Sequence, residues 1–419
     1  MTTNDTTSDR RVVVTGLGAV SPLGLDAEST WAEIIAGRSG VGPVTSFDAS
    51  DLATRIAASV KDFDAGRYMD LKEARRLSLF IQYAIAAAQQ ALDQAGLAIS
   101  EEERFTTGVE IGSALGGSRL LEEQRIVLEQ RGPRAVNPTF LPAILINSAA
   151  CAVAIRHGIH GPVNAPVAAC ATGALAIGEA ARRLRSGEAD VMLAGGSDSA
   201  TTRLGIVGFG RLGALSTKND TPERACAPFS ADRDGTVVGE GAAILVLETL
   251  AHARRRGATI LAELAGWGLT CDALHLVMPD PDGTSAARAM TAALQQAGLR
   301  EGELSWVCAH GTGTQLNDAS ETKAIKAALG AAAYTTPVSS IKGALGHMLG
   351  AAGAIAAVTA VQAIAAGVIP PTINYAAADP DCDLDYVPNA PRRADVRAAL
   401  VNAFGFGGQN ATLLFRRWG

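Results

Sequence analysis

Short β-branched runs that end in glycine, each followed by a longer Ala- and Leu-rich stretch of helical period, recur along this chain of 419 residues. "RVVVTGLG" precedes "AESTWAEIIAG", "TTGVEIGSA" precedes "SRLLEEQRIVLEQR", and "PVAAC" runs into "ATGALAIGEAARRLRSG". "DVMLAGG" and "AAILVLETL" complete a first series. A second begins near Ala258, with strands at "TILAELAGWGL", "SWVCAHG" and "TPVSSI" and helices at "SAARAMTAALQQAG", "ASETKAIKAALG" and a long Ala-rich run. Apolar runs of this kind, without polar alternation, are the mark of buried, largely parallel sheets built from βαβ units. The pattern predicts an α/β protein in two successive halves, residues 1–255 and 256–419, with no evident sequence repeat between them.

Two tempting alternatives are weaker. "VTGLGAVSPLG" (14–24) resembles a dinucleotide-binding turn, but the third glycine is displaced to Gly24 and Pro22 interrupts the helix that should follow. A strand-to-turn glycine pair is the better reading. Residues 349–369 carry only Thr359 and Gln362 as polar side chains, a length that would span a bilayer. The run is mostly Ala and Gly, however, and lacks aromatic or basic flanks, which favours a buried, closely packed helix. Net charge is −6, so no global attraction to nucleic acid or anionic membrane is expected. Six scattered cysteines without a CxxC pair point to free thiols and a reducing cytoplasm, not to disulfides or zinc. "MTTNDTTSDR" does not read as a signal peptide.

Cys170 is expected just after a strand and at the head of an amphipathic helix, where the helix dipole would favour its thiolate; a packed small hydrophobe is the alternative. His310, with Thr312 and Thr314, lies in a glycine-rich loop after one strand, and Lys342 and His347 follow another. Each alone reads as structural as readily as catalytic. One cysteine and two histidines at strand ends of α/β halves, where sites form, suggest nucleophilic catalysis.

At these residues the chain resembles the β-ketoacyl-ACP synthases, elongating condensing enzymes of the thiolase superfamily and of the ketosynthase II type. The resemblance runs from "RRVVVTGLGAVSPLG" to "NAFGFGGQNATLLF" and includes "GIVGFGRLGALSTKND" and "PFSADRDGTVVGEGAAILVLE". It implies a thiolase-like fold, two similar halves in a layered α-β-α-β-α core. It implies that Cys170 takes an acyl chain from acyl carrier protein as a thioester. His310 and His347 then assist loss of CO₂ from malonyl-ACP, and the enolate attacks the thioester to give a β-ketoacyl-ACP. Lys342 would order the site, partnered by Glu321 with Asp318 one turn earlier; the bland alternative is that both acids cap the helix. Phe404, beside Phe406 in "FGFGG", would act as gate and backbone oxyanion donor, the other reading being a core phenylalanine. Thr312 and Thr314 would bind the phosphopantetheine arm, and Leu115 and Phe140 would line the acyl pocket. Lys72, Arg75 and Arg76, expected on one helix face, would dock the acidic carrier or simply be solvated.

No cofactor or metal is implied, and the partners are acyl carrier protein and a second subunit, in a homodimer or a heterodimer with a chain-length-factor-like chain. "KGALGH", Ala356, Thr236 and Gln409 depart from the fatty-acid pattern, where Ser-Met-Thr, a glutamate, a phenylalanine and a threonine are customary. These departures keep fatty-acid and type II polyketide condensation both open. A non-catalytic partner subunit is disfavoured by the retention of Cys170, His310, His347 and Lys342. A thiolase or initiating ketosynthase III fits poorly with two histidines.

Overall fold

The structure, a computed structural model, describes residues 10–419. Ten strands form its main sheet. The first five are β1 (Val12–Val20), β2 (Thr107–Gly112), β3 (Val163–Asn164), β4 (Val191–Asp198) and β5 (Gly241–Thr249). The second five are β6 (Ala262–Cys271), β7 (Trp306–Cys308), β8 (Val338–Ser339), β9 (Ala398–Gly405) and β10 (Gln409–Arg416). The spatial order is β8-β7-β9-β10-β6-β1-β5-β4-β2-β3. Each set of five thus has the same order, third-second-fourth-fifth-first, and the sets meet at their first strands, where Val12 to Val14 pair antiparallel with Leu264 to Ala262.

The sheet is mixed, contrary to the largely parallel expectation. In each half the second strand runs parallel to the third and fourth. The fifth runs antiparallel to both the first and the fourth. Burial on both faces produces the continuous apolar runs whatever the strand direction, so sequence pattern could not separate the two cases.

Alternate side chains of one strand enter different cores. In β5, Ala243, Leu245 and Leu247 enter one core, while Ala242, Ile244 and Val246 enter another. In β9, Ala399, Val401 and Ala403 share the first core, whereas Ala398 and Leu400 enter a third. Helices fill all three spaces: α1 (Leu79–Ala95) outside the first half, α3 (Thr284–Ala297) and α4 (Gln315–Leu329) outside the second, and α2 (Thr172–Ser186) with α5 (Ala352–Ala366) between them. The result is a thiolase-like α-β-α-β-α stack. The apolar run from Leu349 to Ala366 is the innermost helix, 83% buried, and packs against its counterpart α2.

Gly16 and Gly18 lie inside β1 rather than at a turn. A methyl group at either would come within 2.0 Å of a backbone oxygen of α1, so α1 rests directly on the strand.

Candidate active site

The two central helices begin alike. Ala169, at φ +48°, leads a single tight turn into α2, and Leu349, at φ +50°, leads one into α5. A left-handed conformation costs a non-glycine residue about 1–2 kcal/mol and persists only where its surroundings hold it. At the first turn the hold is Thr172, whose Oγ1 accepts from Ala168 N at 2.8 Å and donates to Ala169 O at 2.7 Å. Cys170 sits in that turn, packed against Ala200 and Leu349 with Ala114 and Phe209. The expected strand before it ends earlier, at Asn164.

The thiol is not the ready thiolate that a helix start suggested. Burial pushes it up to about 12, opposed by the charge of Lys342 and by backbone N–H groups of Phe406 and Cys170 itself. Desolvation outweighs the dipole. Within the glycine-rich loop it is the N–H of Phe406 that favours charge on the thiol, while the Phe404 ring leans on His310, with centroids 5.6 Å apart.

His310 and His347 meet edge to face, centroids 5.3 Å apart. Burial, followed by the charge of Lys342, drives both well below the ordinary histidine range, so both are neutral. Their tautomers are fixed from outside. Lys342 Nζ reaches His310 Nδ1 at 3.3 Å, and Leu349 N donates to His347 Nδ1 at 3.2 Å. With each Nδ1 accepting, each proton sits on Nε2. The pair is two neutral N–H donors.

Glu321 does not pair with Lys342. Its oxygens accept from His310 N at 2.8 Å and Gly311 N at 2.7 Å, and Asn402 Nδ2 donates to it at 3.0 Å. Lys342 instead donates to the His310 carbonyl. Asp318 holds the next turn, accepting from Thr312 N, Gly313 N and Phe229 N. Neither acid caps α4; Thr314 does, accepting from Asn317 N. The acids are buried clamps on the histidine loop.

Cys170, His310, His347, Phe404, Phe406, Thr312 and Thr314 line one cavity of about 260 Å³, joined by Thr236. The two threonine hydroxyls lie 2.9 Å apart. Leu115 and Phe140 do not line it; Leu115 is exposed, and its backbone N donates to Asp198. The basic trio does not share a helix face, because that helix is one turn, Leu71–Ala74, with Arg75 capping it. Asp70 accepts from Lys72 N and Glu73 N to start it, and the chain turns away after Ala74. All three side chains are exposed. Ala356 is buried in α5, and Gln409 opens β10 at the surface. No sequence motif assigns a role to Asn402 or Asp198. The available signal was an acid closing an apolar strand in "DVMLAGGSD" and an amide just before "FGFGG".

Comparison with known proteins follows the same outline. The beta-ketoacyl synthase N-terminal domain matches residues 9–253 and the C-terminal domain matches residues 261–376. The 3-oxoacyl-(acyl-carrier-protein) synthase 2 of Synechocystis sp. is 48% identical over 409 residues, covering 98% of each chain. That of Vibrio harveyi is 45% identical over 411 residues, 98% of this chain and 99% of its own. Among solved structures, a type II polyketide ketosynthase in complex with its acyl-carrier protein superimposes with TM-score 0.90 at 34% identity, over 98% of this chain and 100% of that one. The ishigamide ketosynthase/chain length factor gives 0.89 at 37%, with the same coverage. Both halves are matched in order and near full length, so the chain belongs to the beta-ketoacyl synthase family.

Proposed function

We propose that this condensing enzyme joins an acyl chain, held as a thioester on Cys170, to a malonyl unit carried by acyl carrier protein. The observation that carries the reading is the pair of neutral imidazoles, both presenting Nε2–H in the cavity of a buried cysteine.

The steps balance without a cofactor. Cys170 sulfur attacks the acyl thioester of the carrier; a carbon–sulfur bond forms, another breaks, and the thiol proton leaves on the carrier's sulfur. Lys342 and the start of α2 stabilise negative charge on Cys170 during that exchange. The malonyl group then loses CO₂, and its electron pair becomes an enolate whose oxygen accepts from His310 and His347. The enolate carbon attacks the Cys170 thioester. The N–H groups of Cys170 and Phe406 are placed to receive the second oxyanion, each such donor being worth about 3–4 kcal/mol. Collapse expels Cys170, which takes up one proton, and the β-ketoacyl chain departs on the carrier.

Thr312 and Thr314 are the hydroxyls that would hold the phosphopantetheine arm. Carrier docking falls to exposed basic groups such as Lys72, Arg75 and Arg76, and both structural relatives are named with a carrier or a partner chain. A subunit partner is supported by exposed Leu141, Leu145, Ile155 and Val167, together with the free edge of β3. In either arrangement, homodimer or heterodimer with a chain-length-factor-like subunit, the partner would meet Leu115 and Phe140. The six unpaired cysteines and the buried apolar helix suit a cytoplasmic enzyme.

Incubation with acyl-ACPs of graded length, saturation and β-keto content should add one acyl mass to the peptide containing Cys170, and the preferred chain assigns the pathway. His310→Ala and His347→Ala should each cut malonyl decarboxylation more than Cys170 acylation. No acylation across the panel, or decarboxylation at the parental rate in both variants, defeats the proposal.

A further inference from the structure

Asp198 is a fully buried acid that the reaction above does not use. Its Oδ2 accepts from Gly350 N at 2.7 Å and Ala114 N at 2.9 Å, and its Oδ1 accepts from Ser113 Oγ at 2.7 Å and Leu115 N at 3.1 Å. Burial pushes the acid above the ordinary carboxylate range, and these four converging donors oppose that shift by favouring the anion.

The duplicated fold shows what this carboxylate stands for. Asp198 is the last residue of the fourth strand in the first half, and Gly405 is the last residue of the fourth strand in the second. Each faces the left-handed turn of the other half's central helix. Gly405 abuts the Cys170 turn, so close that a β-carbon there would lie 3.1 Å from Cys170 N. Asp198 abuts the twin turn, where Gly350 occupies the position of Cys170. In the reacting half the strand ends in glycine and leaves the backbone N–H free for a substrate oxygen. In the twin, the protein's own carboxylate fills that place.

That filled place bears on His347. Leu349 N fixes the His347 tautomer, and Leu349 is the strained residue held between His347 and Gly350. Accepting the proposed reaction, we infer that Asp198 is a positioning residue for decarboxylation: by occupying the second half's copy of the oxyanion site, it holds the Leu349–Gly350 turn that keeps His347 presenting Nε2–H.

Asp198→Asn, made in the full chain, tests this with two rates. The first is CO₂ release from malonyl-ACP, expected to fall by roughly 10–100-fold, the scale of an ångström-sized misplacement of a catalytic group. The second is Cys170 alkylation by iodoacetamide across pH. The charges acting on that thiol are Lys342 and Asp198, with His310 and His347 beside it and Asp234, Asp272 and Asp280 also lining the cavity; loss of the Asp198 charge should move the alkylation profile to lower pH. A residue that mattered only to stability would slow both rates together, and that result overturns the inference. So does decarboxylation within about threefold of wild type. If Asp198→Asn does not fold, Ser113→Ala removes one donor and keeps the charge: decarboxylation should fall with the alkylation profile unmoved, and unchanged decarboxylation overturns the inference. Wild-type enzyme that released no CO₂ from malonyl-ACP would instead defeat the proposed function, so the two failures are distinct.

Discussion

Adding one methyl group at Gly405 should separate the nucleophile's chemistry from that of the histidines. The β-carbon of Gly405→Ala would stand 2.3 Å from the Ala168 carbonyl oxygen and 3.1 Å from both Cys170 N and Ala171 N. Ordinary carbon–oxygen contact needs about 3.3 Å, so β9 and the Cys170 turn must part by roughly 1 Å. Phe406, whose N–H meets the Cys170 sulfur, is the next residue and moves with it. The two donors therefore shift relative to each other, and one oxyanion donor is worth about 3–4 kcal/mol, or 100–1,000-fold in rate. Overpacking of this kind costs about 1–3 kcal/mol of stability, so the protein should still fold. Rapid-quench intact mass measurement of acyl-Cys170 formation gives the rate, and urea unfolding gives the stability. Gly407→Ala is the control: its added carbon meets nothing within 4 Å, and its φ of +84° leaves only strain of about 1 kcal/mol. Acylation within about threefold of wild type in folded Gly405→Ala would refute the oxyanion geometry, as would an equal loss in Gly407→Ala.

Glu321→Gln should place an NH₂ against one of the two N–H groups that the carboxylate now satisfies, His310 N or Gly311 N, at a cost of about 2–4 kcal/mol in urea unfolding. Decarboxylation should fall with it, and retention of both would show that the clamp is dispensable. Far from the site, burial pushes Glu248 up, but Arg256, His252 and Thr15 more than offset this and hold it at about 2. Its folded value lies below the unfolded one near 4.5, so about 3 kcal/mol is present above pH 4.5 and lost as pH falls towards 2. His252, raised first by its hydrogen bond to Glu248, runs the opposite way: its contribution is complete below the unfolded value near 6.5 and disappears as pH rises through the folded one. The stability gap between wild type and His252→Gln should therefore be wider at pH 5.5 than at pH 8.5; a gap independent of pH would contradict the ion pair.

The elements of this fold were readable because each is long or strongly patterned. β1, β6, α3 and α5 lie where the apolar runs and helical periods place them. Pairing was not readable, since a strand buried on both faces looks alike in either direction. The internal duplication left one short trace, "CATGALAI" at 170–177 against "GAAGAIAA" at 350–357, and it survives where α2 and α5 press together at Gly173 and Gly353. Elsewhere the two halves need only keep apolar character, so their sequences have drifted apart. In the site, residue types pointed to Cys170, His310, His347 and Lys342. Partner choice needed coordinates: Glu321 grips backbone rather than Lys342, and the loop N–H that favours charge on the sulfur belongs to Phe406. The thiol's protonation is not legible in the sequence, because a helix start is visible there and desolvation is not.

Lys342 ties the two half-reactions to one charge. A cation beside two histidines would be wasteful if their work were only to stabilise an enolate, because imidazolium would bind that oxygen more strongly. Imidazolium would also bind the malonyl carboxylate, which must leave as neutral CO₂. Stabilising that ground-state charge raises the barrier as much as stabilising the enolate lowers it. Burial, reinforced by the charge of Lys342, keeps both rings neutral, so in the proposed reaction their N–H groups would bind the oxygen whose charge grows without first gripping the carboxylate. Burial puts the ammonium itself below its usual range, countered chiefly by the negative charge of Glu321. The same ammonium draws the Cys170 thiol down from the value that burial alone would impose. A single buried charge thus favours thiolate at one turn and neutral imidazole at the other, which requires the two turns to lie within its reach. The pseudo-symmetric packing of α2 against α5 brings them there.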